Sequence, residues 1–401
     1  MATLALALWA VPTTAREIGP EIDLCGAINS LPEGEELVLL PGDYQGPCAV
    51  RRGGVPGAPL VIRAADPAQR PRIVYAGRAS NVIEVRASHI TLRGLDFGPT
   101  QQDVDAVRIF KANGVTVEDC RFTQLGGIAV VANHSSVRGL VVRRNVIRSS
   151  GATAMYFGCH DGMGCMVSGL VIDGNFIDGV TAPDPEIGYG MEVKLNSSAI
   201  IRGNIVMRTK GPGIMVFGSQ DLGTSSLIER NVVTDSRHSA GIVVGGGPAI
   251  VRNNIAVNNA EGGIALEDYK KRGLLRAVLI ANNTAYSNRL GGITAPAEGN
   301  LSGVVIVNNA ADRGAAPKPY PEPRFGLRVT GNVDCTVMPC FANPAQLDFS
   351  PTLASILRSA GLPWMEPGMP RDDYFGMRRG IPPTVGAIEQ PAQPLVLTPQ
   401  P

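Results

Sequence analysis

Glu192 and Lys194 stand two residues apart in the stretch Gly190-Met191-Glu192-Val193-Lys194, where apolar and charged residues alternate. Alternation of that kind sends successive side chains to opposite faces of a strand. Met191 and Val193 are expected to point into a core, and the two charges to point out together. The same register turns Tyr156 outward on the strand before, and Met215 and Phe217 outward on the strand after. A carboxylate and an ammonium between aromatic rings can hold a polar ring-shaped ligand and move a proton. Short turns nearby contribute Arg208, Lys210, Arg237 and His238, and a loop contributes His160. Lys194, Glu192, Arg208 and His160 are the candidate catalytic groups, and Tyr156, Phe217, Lys210, Arg237 and His238 the candidate binding groups. With Glu192 beside it, Lys194 is held charged, which suits neutralising an anion better than accepting a proton. Either a cation, with calcium the plausible one, sits on Glu192, or Lys194 neutralises the ligand while another group takes the proton. No metal ligand is assigned. His160-Asp161 lacks the third spaced ligand that a zinc site requires.

Loop lengths point to the same place. Met155 to Met191 is a step of 36 residues, whereas Met191 to Ile214 is a step of 23. The extra length lies in residues 159–165 and 181–189, which bring His160, Asp161, Asp184, Glu186 and Tyr189 to one end of the strip. Long loops on a regular scaffold are where binding and catalysis concentrate.

The elements that must hold these residues repeat. Short apolar strands ending in an asparagine step recur as VVRRNVI (141–147), VIDGNFI (171–177), IIRGNIV (200–206), LIERNVV (227–233), IVRNNIA (250–256), LIANNTA (279–285) and VIVNNAA (305–311). One slot is thus filled by Asn145, Asn175, Asn204, Asn231, Asn254, Asn283 and Asn309, at spacings of 30, 29, 27, 23, 29 and 26. Cys120 and Leu95 take the slot on two earlier repeats. A second motif runs in phase, a glycine or alanine followed by an alternating strand, as in Gly213-Ile214 and Gly241-Ile242. Units this short cannot bury a core alone, but stacked they share one. An asparagine at a fixed turn position tolerates a left-handed backbone, and its amide can bond to the asparagines of the neighbouring repeats.

This pattern resembles the right-handed parallel β-helix superfamily of pectate-lyase-like proteins. The resemblance implies an all-β solenoid with an N-terminal cap and an irregular C-terminal segment. Residues 16–59 are expected to form the cap, 60–311 the coils, and 312–401 a closing segment with a proline-rich tail. ELVLLPGDY (36–44) is similar to the opening turns of exported members, and residues 341–361 to a closing segment.

Composition sets further bounds. The chain has 401 residues with 48 glycines, a net charge of +1 and only 5% aromatics. Near-neutral charge without a basic stripe argues against a nucleic-acid binder. No apolar run approaches the roughly 20 residues that span a bilayer. Residues 1–15, with the apolar core LALALWAV, read as a signal peptide, so a secreted or periplasmic location is expected. Seven cysteines fit an oxidising compartment. Cys25 with Cys48, Cys159 with Cys165 and Cys335 with Cys340 are the expected disulfides, and Cys120 the buried thiol.

Enzymes that this chain resembles act mostly on polysaccharides, and a monomer acting on an anionic polysaccharide is expected. A lyase removes a proton next to a neutralised uronate carboxylate, for which lysine and arginine are suited. A glycoside hydrolase needs two facing carboxylates, and Glu192 would need Asp161, Asp184 or Glu186 as partner. Alginate-type lyases of the fold carry Glu-x-Glu then Lys with an arginine one coil on, whereas Glu192-Val193-Lys194 is followed here by Met215 and Phe217. Uronan C5-epimerases carry Asp-Pro-His-Asp, and here Gly158-Cys159 precede His160-Asp161. The lyase is the leading reading. Hydrolase, epimerase and a non-catalytic carbohydrate-binding solenoid are the alternatives.

Overall fold

The structure, a computed structural model, describes residues 15–219, 223–267, 274–295, 301–364 and 366–399. The expected signal peptide falls on residues 1–14, outside that set, except that Ala15 already begins the first strand, Ala15–Ile18.

Three parallel sheets wind around one core, as a right-handed β-helix of about 11 turns. A 13-stranded sheet runs from Ala15–Ile18 to Leu327–Thr330, a 12-stranded sheet from Asp43–Gln45 to Val333–Asp334, and a 10-stranded sheet from Cys48–Val50 to Ile293–Thr294. The parallel ladders therefore reach beyond residues 60–311 on both sides. Each coil passes through the three sheets in turn; one such set is Val141–Arg143, Val146–Ser150 and Met155–Phe157. Inward positions of all three sheets fill the lumen with Val, Ile and Leu, and Phe97 stacks on Phe122 at 5.0 Å between centroids. A short helix, Leu24–Ser30, buries Leu24, Ala27 and Ile28 at the N-terminal end. Solenoid ends need such cover, because an open sheet edge pairs with other chains.

The seven asparagines form one internal column, all 1% exposed or less. Each Nδ2 donates to the next Oδ1, at 3.0 Å from Asn145 to Asn175 and 2.9 Å from Asn204 to Asn231. Each also donates to a carbonyl of the preceding coil, as Asn204 does to Ile172. The column runs one step further than the repeat suggested, to Asn332. The left-handed backbone belongs to the residue before each asparagine, not to the asparagine itself: Arg144, Gly203, Arg230 and Asn253 have φ of 52°, 63°, 54° and 54°. Asparagine is selected here for its amide. A second, unanticipated column follows at the next turn, where Thr209, Ser236, Asn259 and Asn288 are linked coil to coil.

The three disulfides are Cys25–Cys48, Cys159–Cys165 and Cys335–Cys340, and Cys120 is a buried free thiol. Burial pushes that thiol up to about 12. The C-terminal stretch is extended but not loose, since Ala392, Leu395 and Leu397 pack on the outer face of the 12-stranded sheet.

Candidate active site

Outward positions of the 10-stranded sheet make two columns of side chains. One contains Glu84, Arg108, Val131, Tyr156, Glu192, Met215, Val243 and Ala265. The other, offset by two residues, contains Arg86, Phe110, Asn133, Gly158, Lys194 and Phe217. Neighbours within a column are about 4.8 Å apart, the spacing of paired strands.

The downstream half of this face is closed. Met191 and Val193 point into the lumen and Glu192 and Lys194 away from it, as alternation requires, yet Glu192 is only 4% and Lys194 only 5% exposed. Tyr189, Met215, Phe217, Ala240, Val243 and Ala265 form an apolar cluster outside the sheet, with Leu195 at its edge. Alternation reveals which way a side chain points, not what lies over it. Phe217, at 3% exposure, has no face open to a sugar. Lys194 Nζ donates to Glu192 Oε1 at 2.9 Å and stands 4.2 Å from the Phe217 ring centroid and 5.6 Å from that of Tyr156. Burial pushes the Glu192 carboxyl up to about 7, against the pull of Lys194. Gly158 makes room for this packing, because a Cβ there would lie 2.6 Å from Ser197 Oγ and 3.0 Å from Lys194 Cβ. A calcium ion takes six to eight oxygens. Glu192, buried and engaged by Lys194, does not fit that role.

Loop 159–165 lies against the edge of this buried set, where Asn196 Nδ2 donates to Gly162 O at 2.6 Å. Held between Cys159 and Cys165, it leaves His160 exposed beside Tyr156, with His160 Nδ1 3.5 Å from the Tyr156 hydroxyl. Asp161 accepts from the Met163 and Gly164 N–H groups, which hold its carboxyl below the usual range. Asp184 caps the turn Pro185–Ile187 by accepting from Glu186 N–H. Both acids serve their own loops.

The basic turn residues do not gather on Lys194. Arg208 pairs with Asp178 on the outer face of the 12-stranded sheet, a location that alternation within the 10-stranded sheet could not reveal. Lys210 and His238 stack with Gly188 in the turn leading into the 10-stranded sheet, through Lys210 N–H to Gly188 O and His238 N–H to Lys210 O. Arg237 follows the same turn, bonded to Thr209 O. Among the described residues none of the four makes an ion pair with Glu192.

The upstream half of the face is open, and the sequence pattern marks it only weakly. A cleft of about 380 Å³ is lined by Arg78, Glu84, Arg86, Arg108, Phe110 and His134, among others. Arg86 lies over the Phe110 ring at 5.3 Å. Arg108 donates to Asn133 Oδ1 at 2.7 Å and pairs with Asp105, whose carboxyl is pushed up by burial. His134 follows Asn133, whose carbonyl oxygen lies 3.3 Å from the disulfide sulfur of Cys159, so the cleft runs toward the His160 loop. The signal was present as alternation in Ile83-Glu84-Val85-Arg86 and Val107-Arg108-Ile109-Phe110. It was hidden because Val82 and Ala106 stand where later coils carry the marking glycine.

A family model for the right-handed beta helix region matches residues 105–274. No curated protein sequence matches the chain. Among solved structures, pectate lyase Pel9A is similar over 94% of this chain and 98% of its own, at 14% identity and a TM-score of 0.54. XylC, solved in complex with xylose, is similar over 80% of this chain and 83% of its own, at 9% identity and a TM-score of 0.57. Identities this low speak to architecture, and with the three parallel sheets and the asparagine column they make the chain a right-handed parallel β-helix of the pectate-lyase-like fold.

Proposed function

We propose that the protein cleaves a uronate-containing polysaccharide by β-elimination on the open half of the 10-stranded sheet. The observation that carries this is the meeting of His160 and Tyr156 where the basic cleft ends against the closed half of the face. Arg78, Arg86 and Arg108 would take substrate carboxylates along the cleft, with a sugar against Phe110. Neutralising the carboxylate lowers the cost of the charge that builds up when the C5 proton leaves. Neutral His160 takes that proton, and the electron pair forms the C4–C5 double bond as the C4–O4 bond breaks. Tyr156 O–H protonates the leaving O4, and His160 returns its proton to Tyr156, closing the cycle. Catalytic hydrogen bonds are often long before substrate binds, so a 3.5 Å contact is within the usable range. Lys194 and Glu192 act from behind, fixing the Tyr156 ring. A hydrolase is less well supported, because Asp161 and Asp184 are spent on local turns and Glu192 is buried.

The test is incubation with a panel of uronate and neutral polymers, following ultraviolet absorbance and reducing ends together. Elimination raises both, whereas hydrolysis raises reducing ends alone. An epimerised product without chain breakage would assign the same His160–Tyr156 pair to C5 inversion. Binding without any change would leave a carbohydrate-binding solenoid.

A further inference from the structure

A second pocket, of about 460 Å³, opens on the outer face of the 12-stranded sheet, away from the candidate active site. Four arginines converge on it, Arg70, Arg121, Arg144 and Arg148, with Asp119 as the one acidic side chain of the lining. The local acids are already shared. Glu118 pairs with Arg93, Arg143 and Arg144, and Asp178 with both Arg148 and Arg208. Arg144 is held in a fork by Asp119, at 2.8 Å through both Nε and Nη2. Arg121 has no ion pair or side-chain hydrogen bond among the described residues; Arg70 donates through Nη1 to the Asp119 carbonyl, but it makes no ion pair among the described residues and its Nε is buried without a partner. Asp96 lies in register with Arg121, but burial pushes its carboxyl up against the pull of Arg121 and Arg70, which makes it a poor counter-ion.

Two guanidinium heads are therefore left without a matched anion in a concave site of small-molecule size. Guanidinium presents a planar fork that fits carboxylates and other oxyanions. The remaining lining is Thr123, a hydroxyl, the buried Cys120, and the apolar Val146 and Pro399. An inorganic anion has no use for those apolar walls, whereas a sugar acid has a ring to lay on them. We propose that this pocket is a second binding site for a uronate unit, with the carboxylate on Arg70 and Arg121 and the ring against Val146 and Pro399. The choice of uronate rests on the proposed polysaccharide substrate. The site itself does not depend on cleavage, and it would hold the polymer on one sheet while another is worked on.

The experiment is titration calorimetry of the full chain carrying His160→Gln, which blocks the proposed turnover, with trigalacturonate and trimannuronate. Neutral galactotriose and inorganic sulfate serve as controls. The proposal expects two equivalents of one acidic trisaccharide to bind. Arg121→Glu should remove one of them, weakening that site roughly tenfold or more, while circular dichroism stays unchanged. Arg70→Gln should do the same. Arg121 is exposed and outside the core, so its variant reads binding rather than folding. One equivalent in both proteins would overturn the proposal, as would equal occupancy by the neutral sugar, or full displacement of the second equivalent by equimolar sulfate. If wild-type protein never cleaves any uronate but the second equivalent is lost in Arg121→Glu, the elimination reading fails and this one stands.

Discussion

Replacing Lys194 by methionine should change how stability depends on pH. Glu192 is 4% exposed, and burial holds its carboxyl near 7 even with Lys194 in contact. In the unfolded chain a glutamate titrates near 4.3. The folded protein thus holds the proton more tightly, and between those values it carries more protons than the unfolded chain. The contribution of Glu192 to stability is therefore greatest at low pH and falls as pH rises toward 7. A gap of about 2.7 units, at about 1.4 kcal/mol each, puts the loss from this group near 4 kcal/mol, flat above 7. Removing the ammonium takes away the only attraction opposing burial, so the carboxyl moves higher still. In Lys194→Met the loss should then continue past pH 7 at about 1.4 kcal/mol per unit. Relative to wild type, the variant should be equal or better at pH ~5.5, where a buried ammonium is no longer stranded beside a neutral acid. It should be worse by about 2 kcal/mol at pH ~8.5. Glu192→Gln/Lys194→Met should be nearly flat across this range. Urea midpoints followed by far-ultraviolet circular dichroism at several pH values give the comparison. Parallel curves for wild type and Lys194→Met would refute the claim that the two groups are coupled in a buried site.

Asn204→Leu orphans the Asn175 N–H and the Ile172 carbonyl, at about 1–3 kcal/mol each. The same change at half-buried Asn332, the end of the column, should cost clearly less in the same urea assay. Cys120 should label only on unfolding, since its thiol is buried and held near 12, so rapid native labelling would count against the lumen described here. Arg86→Gln, in the open cleft, should raise KM for acidic chains with little change in kcat, because the arginine holds a carboxylate at a distance from the reacting bond. A fall in kcat at constant KM would place it in the chemistry instead.

Much of the fold could be read from the repeat, because stacking demands that one side-chain type recur at one geometric position. The asparagine column follows from that regularity, and two of the disulfides from cysteines five and six residues apart. Asn332 escaped notice because the irregular stretch 312–326 separates it from the preceding repeats. The site was harder to read. The Glu192–Lys194 pair and its aromatic neighbours were found in the right orientation, but their burial depends on an apolar layer contributed by Tyr189, Met215 and Val243. That layer looked like more of the open strip. Arg208 is near the site in sequence only; its turn faces the 12-stranded sheet and Asp178. The cleft at Arg86 and Arg108 was overlooked because its coils lack the glycine that flagged the others.

The most direct test of the central claim compares wild type, His160→Gln and Tyr156→Phe on the uronate polymer that wild type degrades, by ultraviolet absorbance. General acid–base groups contribute about 10²–10⁴-fold, so each variant should lose at least about 100-fold in kcat while its urea midpoint stays unchanged. Near-normal rates in both variants would contradict the account and move the chemistry away from the His160–Tyr156 contact.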